Sequence, residues 1–348
     1  KLEQSMDYVE ILNEAHQLSI ALAMLVKNQE ENIQEVLEKV QKLKLDEYIV
    51  VDTGSTDQTV SVLRMIENIK LYEISWVEDF AFMRNKVAEL TSADWILTLD
   101  SDEILISEDI DPKLLVYLLN KVGESDFSIN FVQRSIGKSS YDTPSRIYCP
   151  SRSTYFGLVH EELRDKITGK AVGGVMTDIQ IINQWTLPKE IQKFSKEERY
   201  MKLSKKMMEI EPDNPRWFVL MSGNVSQLLM KEENYEEQLK KYLFKNSDSG
   251  LSEKNILQNT YTRILLEKYS LFLIIHGRLA EAQELSTFGL KLFPLDIYLM
   301  FYQSLSQLEF FKLQIKNLLK RNLNQYLTLD TQQSSDYNNT DTQLLELL

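Results

Sequence analysis

The stretch TLDSDEIL, residues 98–105, places three acidic residues between Asp100 and Glu103. They follow DWILTL, which predicts a buried strand, and carboxylates at the end of such a strand repel one another and are costly to desolvate. Asp100 and Asp102 are separated by one residue, so in extended backbone their side chains point the same way. Two carboxylates facing one ligand suit a hard divalent cation that bridges phosphate oxygens. The spacing therefore indicates a metal and a nucleotide sugar, although Asp-x-Asp also occurs by chance in acidic loops.

The segments around this motif alternate between strand and helix patterns. Strands are predicted at 18–26, 47–52, 70–77 and 94–100, and helices at 30–45, 53–69 and 80–92. Such alternation is the signature of an α/β fold with a mostly parallel sheet, and these sheets bind ligands at the carboxyl ends of their strands. Asp52 and Asp100 both end predicted strands. We therefore expect both residues at one ligand site.

Long amphipathic segments replace the strand patterns from residue 196 onward. Residues 261–294 have the helix–Gly–helix–Pro layout and the length of a tetratricopeptide (TPR) unit, although any antiparallel helical bundle fits as well. The stretch 211–245 predicts a Pro-initiated helix, a turn and a second helix. The predicted organisation is an N-terminal helix at 1–17, an α/β domain at 18–195, an all-α TPR-like domain at 196–330 and a polar tail at 331–348.

The charge of the chain is unevenly distributed. Of 348 residues with a net charge of −13, residues 1–195 carry 32 acidic against 20 basic side chains. An acidic half argues against nucleic-acid binding, which needs a basic footprint; it fits a metal site or a cationic partner, and simple solubility explains much of it. The single cysteine, Cys149, excludes an internal disulfide and fits a cytoplasmic location. We expect no membrane span, because the apolar runs are too short, and no signal peptide.

Four sequence blocks carry further polar residues in a fixed order. They are ALAMLVKNQEENI at 21–33, VDTGSTDQT at 51–59, EDFAFMRNKVAELTSADWILTLDSDE at 78–103 and RIYCPSRSTYFGLVHEEL at 146–163. In this order and spacing they resemble the family 2 glycosyltransferases with a GT-A fold, over residues 18–185. The VHEE block, followed by a TPR-like region that opens at EIEPDNPRW, resembles the glycocin bacteriocin glycosyltransferases of the sublancin and enterocin 96 type. Members of that group attach glucose or a related hexose to Cys or Ser of a small ribosomal peptide.

The resemblance implies a role for each matching residue. Asp52 would contact the nucleotide base, Asp100 with Ser101 the ribose, Arg84 and Asn85 the nucleotide, and Arg146 the diphosphate. Asp102 and His160 would bind Mg²⁺ or Mn²⁺. An inverting displacement needs a base on the face opposite the leaving group; Glu161 is our candidate because it adjoins His160, and Glu162 is nearly as good.

Structural roles compete with each of these assignments. Asp52 can cap the turn that follows it, Arg84 can be a surface cation, and His160 can be a hydrogen-bonded surface histidine. His16 and His276 lie in predicted helices and are interpreted as structural. The tryptophans are interpreted as core residues, although Trp76 follows a strand and can line a cleft.

The sequence thus predicts a metal-dependent, inverting glycosyltransferase that uses a UDP-sugar, with UDP-glucose expected, and modifies a bacteriocin precursor peptide. The helical domain would bind the peptide or form a homodimer, as such repeats present concave surfaces. A transferase acting on cell-surface polysaccharide and a catalytically silent TPR-type adaptor are the alternatives. The sugar, the choice between Cys and Ser, the number of sugars added, the base and the oligomeric state stay open.

Overall fold

The computed structural model describes residues 8–107, 109–123, 126–136, 141–184, 196–221, 234–246 and 249–328. The chain divides into two compact units, Lys1–Ile210 and Glu211–Leu348, and each is described by itself. The sequence placed a domain boundary after residue 195, whereas this division falls after residue 210, so the helix between them groups with the first unit. Trp185 and the predicted tail at 331–348 lie outside the described residues.

The first unit alternates helices and strands as its sequence pattern predicts. Its helices are α1 (Tyr8–Ala15), α2 (Ile33–Gln41), α3 (Thr59–Leu63), α4 (Phe80–Ala88), α5 (Pro112–Val122) and α6 (Lys196–Ile210). Its strands are β1 (Ile20–Val26), β2 (Glu47–Asp52), β3 (Lys70–Glu73), β4 (Trp95–Thr98), β5 (Glu103–Leu105), β6 (Phe127–Ser135), β7 (Tyr141–Asp142), β8 (Ser145–Tyr148), β9 (Ser153–Phe156), β10 (Glu162–Asp165) and β11 (Gly173–Asn183).

The main sheet has the strand order β3-β2-β1-β4-β8-β6-β11-β5, with β7 paired to β6. The first four strands are parallel, which confirms the expected α/β architecture. Beyond β4 the sheet is mixed, because β8 runs antiparallel to β4 and β6, whereas β6 and β11 are parallel. The strands β9 and β10 form a separate antiparallel pair. The parallel half brings the carboxyl ends of β1 to β4 to one edge of the sheet.

Burial of the parallel strands in the core explains why their sequences are continuous apolar runs. Every residue of β1 except Leu25 is buried, as expected for a strand covered on both faces. The apolar stripe of α2 packs into this core through four fully buried side chains, Ile33, Val36, Leu37 and Val40. Trp95 is a core residue, as predicted, with its ring 5.3 Å from that of Phe127. His16 contacts Asp111 at 2.9 Å, which supports the structural interpretation of that histidine.

The second unit is helical, as predicted. It contains α7 (Arg216–Val219), α8 (Tyr235–Leu243), α9 (Thr262–Ile275), α10 (Leu279–Leu292) and α11 (Ile297–Thr328). Gly277, with φ +71°, makes the turn between α9 and α10, so the helix–Gly–helix–Pro layout at 261–294 is present. Gly289 allows α10 to approach Leu299 of α11, because a Cβ there would lie 2.8 Å from a Leu299 methyl carbon. None of the described helices is both long and apolar enough to cross a membrane.

Candidate active site

A cavity of about 380 Å³ opens at the carboxyl ends of β1 to β4. The loops after these strands contribute Lys27, Gln29, Thr53, Trp76, Asp100, Ser101 and Asp102 to its lining. Phe80 and Arg84 of α4, Val159, His160 and Glu161 before β10, Asn183 at the end of β11, and Arg199 and Tyr200 of α6 also line it. The position matches the rule for ligand sites in parallel sheets, and the volume suits a small-molecule ligand.

Arg84 stands opposite Asp100, which explains how the acidic turn is tolerated. Its NH2 donates to Asp100 Oδ1 at 2.7 Å, its Nε to Glu161 Oε1 at 2.5 Å and its NH1 to Thr98 Oγ1 at 3.0 Å. Burial opposes the charged guanidinium, but the carboxylates of Asp100 and Glu161 outweigh it and raise the pKa of Arg84 well above its ordinary value. Arg84 is therefore a fixed cation that joins two walls of the cavity.

A second buried arginine lies beneath the acidic turn. Arg146 contacts Glu103, whose side chain is fully buried, and lies 3.4 Å from Asp100 Oδ2. Burial raises the pKa of Asp100, but Arg84 and Arg146 together hold it well below its usual range. Burial raises the pKa of Glu103, while Arg146 opposes that rise. We call Arg84, Asp100, Glu103, Arg146 and Glu161 the charged floor.

Arg146 is not among the residues that line the cavity. The sequence assigned it to the diphosphate of a nucleotide, but the structure places its NH2 against the acids of the charged floor. The pairing of β4 with β8, with Leu97 opposite Ile147, explains this location, because it brings the start of β8 beside the end of β4.

Asp102 and His160 line the same cavity from two separate loops. The backbone of His160 has φ +52°, in the left-handed region that non-glycine residues seldom adopt, and Gly157 before it has φ +117°. The His160 ring packs edge-on against Tyr200, with centroids 5.9 Å apart. We call Asp102 and His160 the donor pair, because they present oxygen and nitrogen ligands to one space.

Asp52 and Asn85 lie outside the cavity lining and hold backbone in place. Asp52 ends β2, is buried, and its Oδ1 accepts hydrogen bonds from the amides of Gly54 and Ser55, each at 2.9 Å. Asn85 exchanges two hydrogen bonds with the backbone of Tyr155, both at 2.9 Å. The neighbour of Asp52, Thr53, lines the cavity instead. These contacts fit the capping role weighed for Asp52 and tie α4 to β9.

Glu161 and Glu162 point to different surroundings. Glu161 lines the cavity and accepts a hydrogen bond from Arg84. Glu162 begins β10 and accepts from Arg164 Nε at 3.0 Å and from its NH2 at 2.8 Å. Glu162 is not among the lining residues. The alternation of side chains along an extended segment accounts for the difference.

Arg199, Tyr200, Phe80 and Asn183 line the cavity but were not singled out from the sequence. Trp76, which the sequence left between core and cleft, also lines it. Arg199 and Tyr200 lie in a helix beyond the four blocks that resemble the glycosyltransferases, so only the folding of α6 within the first unit brings them here. The spacing of Phe80 and Arg84, four residues apart on α4, places both on one helix face. That spacing is a signal from which Phe80 could have been identified.

Comparisons with known proteins concern the family and the reaction class. The model of the family "Glycosyl transferase family 2" matches residues 22–185. The chain is 26% identical over 225 residues to the SPbeta prophage-derived glycosyltransferase SunS of Bacillus subtilis strain 168, covering 64% of this chain and 53% of that protein. These matches confirm the resemblance drawn from the sequence.

Two further similarities are more limited. A TPR repeat-containing protein of Synechococcus elongatus is 38% identical over 146 residues, which cover 42% of this chain and 35% of that protein. The chain thus spans about half the length, or less, of the curated relatives it matches. The crystal structure of S. aureus TarS 1-349 in complex with UDP has a TM-score of 0.39 at 11% identity, covering 83% of this chain and 88% of that one. At that TM-score the similarity supports no inference about this chain.

Proposed function

We propose that the chain transfers a hexose, with glucose expected, from a UDP-sugar to Cys or Ser of a bacteriocin precursor peptide. The observation that carries this proposal is the cavity, because it gathers Arg84, Asp100, Ser101, Asp102, His160 and Glu161 at the carboxyl ends of parallel strands. The family 2 domain and the similarity to the SunS glycosyltransferase support the reaction class.

The donor pair fits a divalent cation, Mg²⁺ or Mn²⁺, that takes further ligands from a substrate. Among the described residues, no group of three or more His, Cys, Asp or Glu side chains can hold a metal ion by itself. Mg²⁺ is commonly bound through one or two carboxylates together with substrate phosphates, and Asp102 with His160 suits that mode. When bound, such an ion offsets the charge that develops on a departing diphosphate.

The remaining residues of the cavity are proposed to bind and orient the nucleotide. Asp100, held in place by Arg84, would accept a hydrogen bond from the ribose, with Ser101 beside it. Lys27 lines the cavity with an exposed side chain, so we assign it the diphosphate contact that the sequence gave to Arg146. Asp52 and Asn85 would act indirectly, by fixing the loop that carries Thr53 and the position of α4.

Glu161 is proposed as the base. In an inverting displacement the bond from the anomeric carbon to the diphosphate breaks, the bond to the acceptor sulfur or oxygen forms, and the acceptor proton moves to the Glu161 carboxylate. One oxygen of the Glu161 carboxylate already accepts a hydrogen bond from Arg84 Nε. A Cys thiol ionises far more readily than a Ser hydroxyl and needs less help. The site therefore favours Cys over Ser as the acceptor.

The second unit is proposed to bind the peptide or to join two chains in a homodimer. Its longest helix, α11, leaves large apolar side chains exposed along its length, including Phe301, Phe311 and Leu318. Contiguous exposed apolar surface marks interaction sites. Light scattering with and without the precursor peptide separates these two roles.

The experiment that tests the reaction is mass spectrometry of a precursor peptide incubated with the protein, one of several UDP-sugars, and either Mg²⁺, Mn²⁺ or EDTA. We expect a Cys- or Ser-containing peptide to gain the mass of one or more hexoses. This gain should occur with Mg²⁺ or Mn²⁺ and not with EDTA. Modification of a polysaccharide acceptor without modification of any peptide would replace the peptide assignment. Absence of UDP-sugar binding would overturn the enzyme assignment. The catalytically silent TPR-type adaptor would then be the remaining alternative.

A further inference from the structure

One wall of the cavity is aromatic. The rings of Trp76 and Phe80 pack edge-on with centroids 4.7 Å apart, and Phe80 packs in the same way against Tyr200 at 5.8 Å. The guanidinium of Arg199 lies 5.0 Å from the Trp76 ring centroid and 5.5 Å from that of Phe80. We call Trp76, Phe80, Arg199 and Tyr200 the aromatic wall. Edge-to-face packing and the cation above the rings fix the orientation of these side chains.

The aromatic wall carries hydrogen-bond donors beside the cavity. The indole Nε1–H of Trp76 is buried and has no hydrogen-bond partner within the described part of the chain. A buried donor without an acceptor is costly, and such groups in native proteins commonly meet a water or a ligand. Arg199 uses its Nε to donate to Glu78 Oε2 at 2.7 Å, and a guanidinium carries five N–H groups in all. A ligand that supplies acceptor oxygens complements this wall.

Two residues of the wall lie outside the segment that defines the family. The family 2 match ends at residue 185, whereas Arg199 and Tyr200 belong to α6. The residues proposed to handle the nucleotide and the metal all lie within 22–185. The reaction shared by a family resides in its common segment, whereas an added element is suited to the substrate that differs between members, which in a glycosyltransferase is the acceptor.

We propose that the aromatic wall is an acceptor subsite that binds the main chain of a peptide beside the residue to be modified. Trp76 Nε1–H and the Arg199 guanidinium donate to main-chain carbonyl oxygens, and the rings of Phe80 and Tyr200 hold these donors in place. This inference rests on the proposed function. It adds a specific claim, which is that recognition next to the modified residue requires carbonyl groups and no particular side chain.

The test uses acetylated, amidated glycine heptapeptides with Cys or Ser at the centre, since they offer main-chain carbonyls and no other side chain. Trp76→Phe keeps an aromatic ring and removes the N–H, and Arg199→Gln removes the guanidinium. Each variant should raise the peptide KM about tenfold, the scale of losing one hydrogen bond. The Kd for UDP, measured by calorimetry, should stay at the wild-type value. Arg64→Gln is the matched control, because Arg64 forms an exposed ion pair with Glu73 at 2.8 Å and is not a lining residue of the cavity.

The outcomes separate this inference from the function on which it rests. If both variants weaken UDP binding as much as they raise the peptide KM, the wall serves the donor and the inference is overturned. An unchanged peptide KM in both variants overturns it too. If the wild-type protein glycosylates a precursor peptide but none of the glycine peptides, the main-chain claim fails while the proposed function stands. If the wild-type protein does not bind UDP, both the proposed function and this inference are wrong.

Discussion

The charged floor and the donor pair occupy different parts of the site, although Asp100 and Asp102 are only two residues apart. Asp100 is held between Arg84 and Arg146, and Glu103 contacts Arg146. Asp102 and His160 belong to loops far apart in the chain, and both line the cavity. The acidic turn thus combines a buried carboxylate, Glu103, with two carboxylates that line the cavity, Asp100 and Asp102. We expect the buried pair of Glu103 and Arg146 to contribute to stability, and the donor pair to contribute to catalysis.

Removing a carboxylate from the charged floor gives the largest expected effect on stability. Glu103→Ala leaves Arg146 buried without its closest carboxylate, and breaking a buried ion pair in this way costs about 3–5 kcal/mol. Urea denaturation followed by circular dichroism measures that loss. Glu73→Ala removes the partner of Arg64 in an exposed pair and should cost about 1 kcal/mol or less. Equal stabilities of the two variants would show that the floor does not depend on its buried pair.

Changes in the donor pair should instead spare stability and remove activity. Asp102→Asn and His160→Ala alter residues on the cavity lining, so each should leave the thermal midpoint close to that of the wild type. Sugar transfer should fall by roughly 10²-fold or more, the usual scale for losing a metal ligand or an electrostatic stabiliser. Asp109→Asn, at an exposed acid of the same unit, is the control. If both variants transfer sugar at a near-normal rate in EDTA, the assignment of Asp102 and His160 as metal ligands is wrong.

The sequence predicted the parallel half of the fold because its strands and helices carry strong local patterns. The same local reasoning placed Asp100 and Asp102 at a strand end. It did not reveal that Arg146 belongs to the floor, because the contact with Glu103 spans 43 positions and depends on β8 pairing beside β4. Arg199 and Tyr200 were not predicted for the same reason, since a helix after the four glycosyltransferase-like blocks has no local sequence feature that indicates the cavity it lines.

Glu161 lies between the two regions, because it belongs to the floor through Arg84 and faces the cavity. If it is the base, Glu161→Gln should slow transfer to a Ser peptide by roughly 10²-fold or more. Transfer to the matched Cys peptide should fall much less and should recover as the pH rises, because the reference pKa of a thiol is about 8.5. Initial rates from pH 6 to 9 measure both effects.

The control for that comparison is the neighbouring Glu162→Gln. Glu162 accepts a hydrogen bond from Arg164 and is not a lining residue of the cavity. The transfer rate of the Glu162→Gln variant should therefore stay within about threefold of the wild type on both peptides. Equal losses of Glu161→Gln on the Ser and Cys peptides, with UDP-sugar binding unchanged, would mean that Glu161 is not the base. A loss of metal affinity would instead place Glu161 beside the donor pair.

The smallest expected effect concerns Asp52, which supports the cavity without lining it. Its Oδ1 fixes the amides of Gly54 and Ser55, and Gly54 has φ +102°, so the turn that carries Thr53 depends on this carboxyl group. Asp52→Asn retains an oxygen that can accept both bonds, whereas Asp52→Ala retains none. We therefore expect a UDP affinity within about threefold of the wild type for the first variant and about tenfold weaker for the second.

Ser55→Ala separates this indirect role from a direct contact with the nucleotide base. It removes the hydroxyl that donates to Asp52 Oδ2 and leaves the Asp52 carboxylate itself in place. If Asp52 acts by fixing the turn, Ser55→Ala should reproduce part of the loss seen with Asp52→Ala, because both loosen the same turn. If Asp52 touches the base, Ser55→Ala should bind UDP like the wild type while Asp52→Asn and Asp52→Ala both weaken it. Calorimetric titration of the four proteins with UDP decides whether Asp52 belongs with the residues that build the site or with those that face the ligand.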